Sequence, residues 1–326
     1  YEGFQKGSAV GLTFIQPIYL GGRVVTGNKL AKLGYEAALL KSAIARRTTA
    51  EEVEAAYWQV IQLQEKRRTL QGLQLLLDTL LRDVESAYSA GLVTENDRLQ
   101  IKLKQGELRS GMIQVDNGIR LSRLNLFNLI GIEKEDSVNV VWTELSENED
   151  ASVGNLPEEE LLDMQVRAKE LERRMTIGEA LPSVMLGATY GYSHLNNRSQ
   201  LNGVAGVMVN IPITDWGKTA RKMQRQQAGI EMAKNERDYY LKQLELQKMM
   251  LSMNVETTRE QLKVAEEMLA TAQSSYEIQS DNYNAGLIPL SELLVTQTSL
   301  RDAEENLVSA KIAYYKALNA IRNRKE

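Results

Sequence analysis

The chain has 326 residues, a formal net charge of −4, no cysteine and a single histidine. These counts exclude a disulfide framework, a cysteine nucleophile and any metal site built from several histidines. The near-neutral charge, without a long basic run, argues against nucleic-acid binding. Carboxylates are plentiful, but none stands in a recognisable catalytic or metal-ligand arrangement. We therefore predict a protein that is not an enzyme and that has no cofactor and no metal.

The first predicted elements are a strand and two long helices. Residues 8–16 form an apolar run that ends before Pro17, and residues 18–156 contain no proline, the residue that most strongly breaks helices. Apolar side chains spaced alternately by three and four residues then predict two amphipathic helices. The first includes Leu70, Leu73, Leu77, Leu80, Val84 and Ala87, and the second includes Leu108, Met112, Val115, Ile119, Leu126 and Leu129.

Residues 90–92, with the sequence Ala-Gly-Leu, predict the turn between these two helices. Gly91 supplies the left-handed backbone conformation that commonly follows a helix C-terminus. Thr94 belongs to the residue types that are favoured at a helix start. The two helices are therefore expected to form an antiparallel hairpin with a short tip.

An acidic segment comes after this hairpin. Residues 133–163 hold eleven acidic residues against one lysine, so the rest of the chain has a net charge of +6. Acidic runs of this kind are usually exposed to solvent. Pro157 indicates a helix start near the end of the segment.

Two further strands are predicted over residues 183–193 and 203–211. In the first of them, larger side chains at every second position alternate with small or polar ones, which indicates a strand between two different environments. Residues 194–202 predict a polar hairpin loop, in which His194 is a surface histidine. Strands of this length suit a tilted crossing of a bilayer, and an ordinary soluble hairpin is the alternative.

The sequence repeats itself at an offset of 195 residues. Residues 10–18 align with 205–213, and residues 88–92 align with 283–287, without an insertion between these anchors. The constant spacing predicts helices over about 24–88 and 219–283, each roughly 100 Å long at ~1.5 Å per residue. The returning helix of the second copy starts near Pro289. Apolar seams run along this second hairpin through Leu262, Ala265, Leu269, Ala272 and Tyr276, and through Leu300, Ala303, Leu307, Ala310, Tyr314, Ala317 and Ile321.

The first residues look like the tip of a hairpin loop that leads directly into a strand. In the second copy of the repeat a strand precedes this loop, and in the first copy none does. The sequence therefore predicts a fragment that lacks one N-terminal strand and any targeting signal before it.

Taken together, these motifs resemble the TolC-like outer-membrane efflux proteins. The resemblance rests on the Tyr-x-Ala-Gly-Leu hairpin tips, on a strand that starts at Leu181-Pro182-Ser183-Val184 and ends at Tyr190-Gly191-Tyr192, and on a strand exit that reads Ile-Pro-Ile-Thr-Asp-Trp-Gly-Lys over residues 211–218. It covers nearly the whole chain and includes the internal duplication.

The resemblance implies a fold that is mainly α with a small β part. Long antiparallel helical hairpins would build an α-helical barrel, and a homotrimer would share its strands in a membrane β-barrel, because the strands of one chain are too few to close it. The implied organisation is an outer-membrane strand at 1–17, a helical hairpin at 18–131, an equatorial segment at 132–181, a second outer-membrane hairpin at 182–213 and a second helical hairpin at 214–326. Only three of the four strands that a family member contributes are recognisable.

The resemblance also implies functional residues at the hairpin tips. The candidate periplasmic gate residues are Glu292, Asp97, Tyr283 and Tyr88, and the candidate adaptor-contact residues are Gly91, Leu92, Gly286 and Leu287. Ile288 and Val295 occupy positions where the family can have charged side chains. The ring of charged side chains at the periplasmic entrance is therefore expected to contain fewer charges in this protein. An alternative interpretation of Glu292 is a helix N-terminal carboxylate that the helix dipole favours.

Two aromatic residues lie where the predicted strands end. Trp216 and Tyr19 are placed as an interfacial aromatic belt would be. The alternative for Trp216 is that it packs the junction between a strand and a helix.

The predicted function is that of an outer-membrane exit duct, in a tripartite efflux pump or a type I secretion system. Its implied partners are further copies in a homotrimer, a periplasmic adaptor (membrane fusion protein), an inner-membrane transporter reached through that adaptor, and outer-membrane lipid, with no nucleic acid. The implied location is the outer membrane of a Gram-negative bacterium, with helices in the periplasm. The alternative is a soluble structural protein of long antiparallel coiled coils.

Overall fold

The computed structural model describes residues 7–132, 139–143, 154, 156–195 and 198–324 of the chain. The elements in chain order are β1 (Gly7–Leu20), α1 (Arg23–Ser89), α2 (Glu95–Ile130), α3 (Pro157–Glu179), β2 (Ser183–Leu195), β3 (Arg198–Asn210), α4 (Lys218–Asn284) and α5 (Leu290–Arg322). Most of the predicted acidic segment lies outside the described residues. Within the described ranges, no helix is both long enough and apolar enough to span a bilayer.

The helices confirm the predicted hairpins. The helices α1 and α4 each contain 67 residues, and their first and last residues differ by the predicted offset of 195. The helix α2 begins after Thr94, as expected, and α5 begins at the position related to it by the same offset. Pro157 is the first residue of α3, where its missing N–H leaves no helical hydrogen bond unmade.

The strands are longer than the sequence predicted. The strand β1 continues through Pro17 to Leu20, because the register shifts between Pro17 and Tyr19 and so accommodates a residue without an N–H. The strands β2 and β3 extend to Leu195 and from Arg198, so the loop predicted over 194–202 was wrong. Period-two patterning weakens in this polar stretch, but the backbone pairing continues through it.

The three strands form an antiparallel sheet in the order β1-β2-β3, and its two faces differ. Residues that are paired across antiparallel strands share a face. One face, here called the apolar face, carries Val10, Leu12, Phe14, Val184, Leu186, Tyr190, Tyr192, Leu201, Val207 and Val209. The opposite face carries mainly small and polar side chains, among them Gly11, Thr13, Gly187, Thr189, Gly191, Asn202 and Gly206.

Two compact units can be distinguished within the chain. The first consists of residues 1–44 and 156–244, and the second consists of residues 45–155 and 245–326. In the first unit, Gly21 (φ +61°) and Gly178 approach each other so closely that a Cβ on Gly21 would lie 2.2 Å from the Gly178 carbonyl oxygen. A Cβ on Gly178 would lie 2.6 Å from the Gly21 carbonyl oxygen. This contact fixes the end of α3 against the start of α1.

The second unit contains the buried cores. One core surrounds Trp58, Tyr314 and Tyr315, and Trp142 packs against it. The other, here called the tip core, combines residues of α1, α2 and α5, with Tyr276 and Tyr283 of α4 against it. It contains Leu70, Leu77, Leu80, Val84, Ile101, Leu108, Val115, Leu290, Leu293 and Leu294. The apolar seam predicted for α1 is confirmed, since Leu70, Leu77, Leu80 and Val84 are all buried.

Candidate functional site

The two hairpin tips share one backbone geometry. In the first tip, Gly91 has φ 73°, its N–H donates to the Tyr88 carbonyl at 2.9 Å, and the Leu92 N–H donates to the Ala87 carbonyl at 2.9 Å. In the second tip, Gly286 has φ 74°, and the equivalent bonds measure 2.9 and 2.8 Å. These paired bonds define a Schellman motif, which satisfies the last carbonyls of a helix. The short Ala-Gly-Leu sequence was therefore sufficient to predict both turns.

Each tip presents a leucine to solvent. The exposed fraction is 78% for Leu92 and 73% for Leu287. Neither leucine belongs to the tip core, although the residue at this position of a Schellman motif often packs back against its helix. The four predicted adaptor-contact residues thus form two equivalent exposed apolar sites, Gly91 with Leu92 and Gly286 with Leu287.

Polar contacts reinforce the first tip. The Asp97 carboxylate accepts hydrogen bonds from the Thr94 N–H at 2.9 Å and from its hydroxyl at 2.7 Å, while the Asp97 N–H donates to the Thr94 hydroxyl at 3.3 Å. This reciprocal capping box satisfies two N–H groups at the start of α2. Asp97, a predicted gate residue, is therefore engaged in capping its own helix.

Arg98 joins Tyr88 to the start of α2. Its guanidinium pairs with Glu95 at 2.5 Å and lies 5.2 Å from the centre of the Tyr88 ring. The hydrogen bond to Glu95 and the charge of that carboxylate raise the pKa of Arg98. Sequence reasoning missed this pair, although the i,i+3 spacing of Glu95 and Arg98 was a signal for it.

Apolar packing replaces these contacts at the second tip. Pro289 occupies the position before α5 and provides no side-chain cap. Leu290 and Leu293, at the positions equivalent to Glu95 and Arg98, are only 3% and 2% exposed. Glu292 lies exposed in the first turn of α5, so its position agrees with both interpretations made from the sequence.

Tyr283 connects the two tips. Its ring packs against the tip core, which also contains Val84 and Ile101 of the first hairpin. Burial raises the pKa of the Tyr283 phenol, and the negative charges of Asp97 and Asp83 raise it further. Of the four predicted gate residues, Asp97 of the first hairpin therefore acts on Tyr283 of the second through its charge.

The segment between β3 and α4 exposes two large apolar side chains. Trp216 is 87% exposed and has a left-handed φ of 54°, and Ile213 is 93% exposed. The Asp215 carboxylate accepts hydrogen bonds from the Thr219 N–H at 2.7 Å and the Gly217 N–H at 3.0 Å. A hydrogen bond from the Thr219 side chain, together with these backbone bonds, lowers the pKa of Asp215. Trp216 does not pack the junction, so that alternative was wrong. Tyr19, at the end of β1, is 48% exposed.

No described residue belongs to a cluster of three or more side chains that could hold a metal ion. His194 lies in β2, not in a loop, and its Nδ1 is 3.0 Å from the Ser199 hydroxyl. Tyr192 donates to the same hydroxyl at 2.7 Å. This group pairs polar side chains at one end of the sheet.

The chain is similar to solved outer-membrane proteins over nearly its full length. It is 18% identical to the outer membrane protein VceC of Vibrio cholerae, with a TM-score of 0.85 over 99% of this chain and 81% of that one. It is 14% identical to the outer membrane channel CmeC of Campylobacter jejuni, with a TM-score of 0.83 over 98% of this chain and 77% of that one. It is 16% identical to the outer membrane channel MtrE of Neisseria gonorrhoeae, solved in an open state, with a TM-score of 0.67 over 98% of this chain and 80% of that one.

A comparison with curated protein sequences gives no match. Residues 163–324, which include β2, β3, α4 and α5, match the family described as outer membrane efflux protein. In the rest of the chain, α1 and the start of α2 are related to α4 and the start of α5 by the offset of 195, and the chain shares the fold of the solved channels over nearly its full length. Residues 163–324 of the chain belong to the outer membrane efflux protein family.

Proposed function

We propose that this protein is the outer-membrane exit duct of an efflux or type I secretion system. The duct is passive, and an inner-membrane transporter supplies the energy through a periplasmic adaptor. The family is one of outer-membrane transport channels, which favours this function over a soluble coiled-coil protein. The observation that carries the proposal for this chain is the apolar face of its sheet.

The apolar face has the size and pattern that a lipid environment requires. Three strands of 13 or 14 residues pair along their length, and Val10, Leu12 and Val207 on this face are 65–81% exposed. At ~3.3 Å per residue and a tilt of about 40°, such strands rise roughly 30 Å, which matches a hydrocarbon core. In water this surface would promote aggregation.

Neighbouring subunits complete the sheet. The edges of β1 and β3 have no partner strand within the described residues, and unpaired backbone groups are costly in lipid. We propose a homotrimer, in line with the trimers that channels of this family form in general. The helices then extend from the sheet into the periplasm.

The membrane proposal is tested by introducing a lysine on one face of the sheet at a time. Leu12 lies on the apolar face, paired with Tyr190, and Thr13 lies on the opposite face, paired with Thr189. Leu12→Lys places a charge in lipid, which costs about 2–4 kcal/mol near the middle of a bilayer. We expect loss of heat-resistant trimers from outer-membrane fractions with Leu12→Lys and normal trimers with Thr13→Lys. Equal behaviour of the two variants would contradict the assignment of the faces.

We further propose that the tips form the periplasmic gate. Glu292 is exposed, and Tyr283 with Asp97 lies at the contact between the two hairpins. In planar bilayers, Glu292→Ala is expected to reduce cation selectivity and block by divalent cations. Lys311→Ala, a charge change elsewhere on α5, serves as the control and leaves both unchanged. A Glu292→Ala channel with normal selectivity leaves Glu292 as a helix N-terminal carboxylate only.

The exposed tip leucines are proposed as the adaptor contact. A photo-reactive residue at Leu287 or at Leu92 is expected to crosslink to the adaptor in cells. The matched control is Val264, which is 54% exposed on α4 and lies far from the tip in sequence. An adduct from the control position and none from either tip would overturn the proposed contact.

A further inference from the structure

The two helices that leave the sheet begin with basic residues. The first thirteen residues of α1 contain three basic side chains, the first thirteen of α4 contain four, and neither stretch contains a carboxylate. A helix N-terminus carries a partial positive charge, and it favours acidic side chains and disfavours basic ones. The same distribution occurs within both helices. Before α4, the Asp215 carboxylate accepts hydrogen bonds from the Gly217 and Thr219 N–H groups, but the four basic side chains of this stretch outnumber that single acidic cap.

The part of α3 from residue 166 onward adds to this charge. Arg167 and Arg174 line a cleft of about 310 Å³ together with Lys29 and Lys32 of α1. The acidic side chains in the cleft are Glu36 and Glu170. On its other side, α3 contacts α4 through the Lys222–Glu179 ion pair at 2.7 Å and the Gln226–Thr176 hydrogen bond at 2.8 Å. The three helices therefore place their basic side chains in one region.

We call this region the basic patch and define it as residues 21–36, 166–180 and 211–226. It contains eleven basic and five acidic residues, a net charge of +6 in a chain whose total is −4. Three of the basic residues form ion pairs with acidic residues of the patch, Lys32 with Glu36, Lys169 with Glu172 and Lys222 with Glu179. Lys29, Lys218 and Arg225 are exposed, and the described residues offer them no ion pair.

The basic patch directly adjoins the end of the sheet. Lys218, Arg221, Lys222 and Arg225 follow the spacing that places side chains on one face of a helix. Their Cα atoms span ~11 Å along the axis of α4, about one Debye length at physiological ionic strength. Trp216 and Ile213, the most exposed large apolar side chains of this unit, lie between these residues and the last residue of β3.

We propose that the basic patch binds the headgroups of anionic phospholipids on the periplasmic side of the membrane. This inference rests on the proposed function, because it requires the sheet to lie in a bilayer. Trp216 and Ile213 enter the interface, and the Lys and Arg side chains behind them contact the phosphates. A basic cluster beside a membrane-embedded segment attracts anionic lipid in this way, and each Lys or Arg adds to the attraction.

The test compares two spin-labelled lipids around the reconstituted channel. Trace amounts of labelled phosphatidylglycerol or phosphatidylcholine are added to phosphatidylcholine bilayers that contain the protein, and electron spin resonance measures the protein-bound fraction of each. We expect about a threefold preference for phosphatidylglycerol at low salt and a preference near one at 1 M salt, where screening is strong.

A triple variant locates the preference. Lys29→Gln, Lys218→Gln and Arg225→Gln together remove three exposed charges without leaving an acidic partner unpaired, and the preference should fall to about half of its value or less. The control Arg109→Gln, Lys242→Gln and Lys316→Gln removes the same charge from other parts of the helices and should keep the full preference. An unchanged preference in the first variant, or an equal decrease in both, overturns the inference.

Planar-bilayer currents separate the two proposals. A protein that conducts but shows no preference between the lipids contradicts the lipid-binding inference alone. A protein that forms no conducting pore under any condition contradicts the proposed function, and the inference fails with it.

Discussion

The two hairpin tips reach the same backbone geometry by different interactions. At the first tip, Thr94, Asp97, Glu95 and Arg98 form polar contacts at the surface. At the second tip, Leu290 and Leu293 take the equivalent positions of Glu95 and Arg98 and are buried in the tip core. The Schellman turns thus form whether the next helix begins with polar or with apolar side chains. At this pair of positions, the second tip adds side chains to the tip core, whereas the first tip makes polar contacts within its own hairpin.

The largest expected effect is at Leu293. Leu293→Ala leaves a cavity in the tip core, and we expect a loss of about 2–5 kcal/mol in the free energy of unfolding. Arg98→Ala, the equivalent change at the first tip, should cost less because this side chain is partly exposed. Urea unfolding of the detergent-solubilised protein measures both. A greater loss for Arg98→Ala would reverse the comparison.

The two glycines should respond alike. Gly91→Ala and Gly286→Ala each force a left-handed alanine, at a cost of roughly 1–2 kcal/mol, and an added Cβ meets no atom within 4 Å at either position. Shifts of the thermal midpoint are therefore expected to be equal within error. A clear difference would show that the tips do not share one turn geometry in the assembled protein.

The helix starts should respond differently. Thr94→Ala removes one half of the capping box and should cost about 1 kcal/mol, whereas Pro289→Ala removes no side-chain cap. Pro289→Ser places a serine three residues before Glu292 and can create a capping box at the second tip. We expect Pro289→Ser to be more stable than Pro289→Ala in thermal unfolding, and equal stability would contradict this.

The smallest effect concerns pH. Because the pKa of Tyr283 is raised in the folded protein, the unfolded chain loses its phenolic proton first as the pH rises. Its contribution to stability is complete below pH ~10, the ordinary tyrosine pKa, and is lost above it. Asp97→Asn should lower the pKa of Tyr283 and leave that of Tyr276, which burial alone raises, unchanged. Titration of ring ¹³C resonances measures both pKa values. An unchanged pKa of Tyr283 would show that the charge of Asp97 in the first hairpin does not act on Tyr283 in the second.

The sequence predicted the helices better than the strands, for a physical reason. Helix ends depend on local signals such as Gly91, Thr94 and Pro157, and all three marked the observed boundaries. Strand ends depend on pairing with distant residues, so the extension of β1 beyond Pro17 and the pairing of His194 with Ser8 left no local signal.

The same distinction applies to the candidate site. The exposure of Leu92 and Leu287 results from a turn that the sequence encodes. The approach of Asp97 to Tyr283 depends on packing between two hairpins, and its effect on the pKa of Tyr283 could not be anticipated from either segment alone.

The contact between Gly21 and Gly178 has a consequence for how such proteins evolve. Each glycine is opposed by the carbonyl oxygen of the other, so no substitution at one position can compensate for a substitution at the other. Compensating changes are the source of co-variation between sequences. We expect glycine at both positions in related proteins. Because neither position then varies, this close contact between the end of α3 and the start of α1 leaves no trace in co-variation.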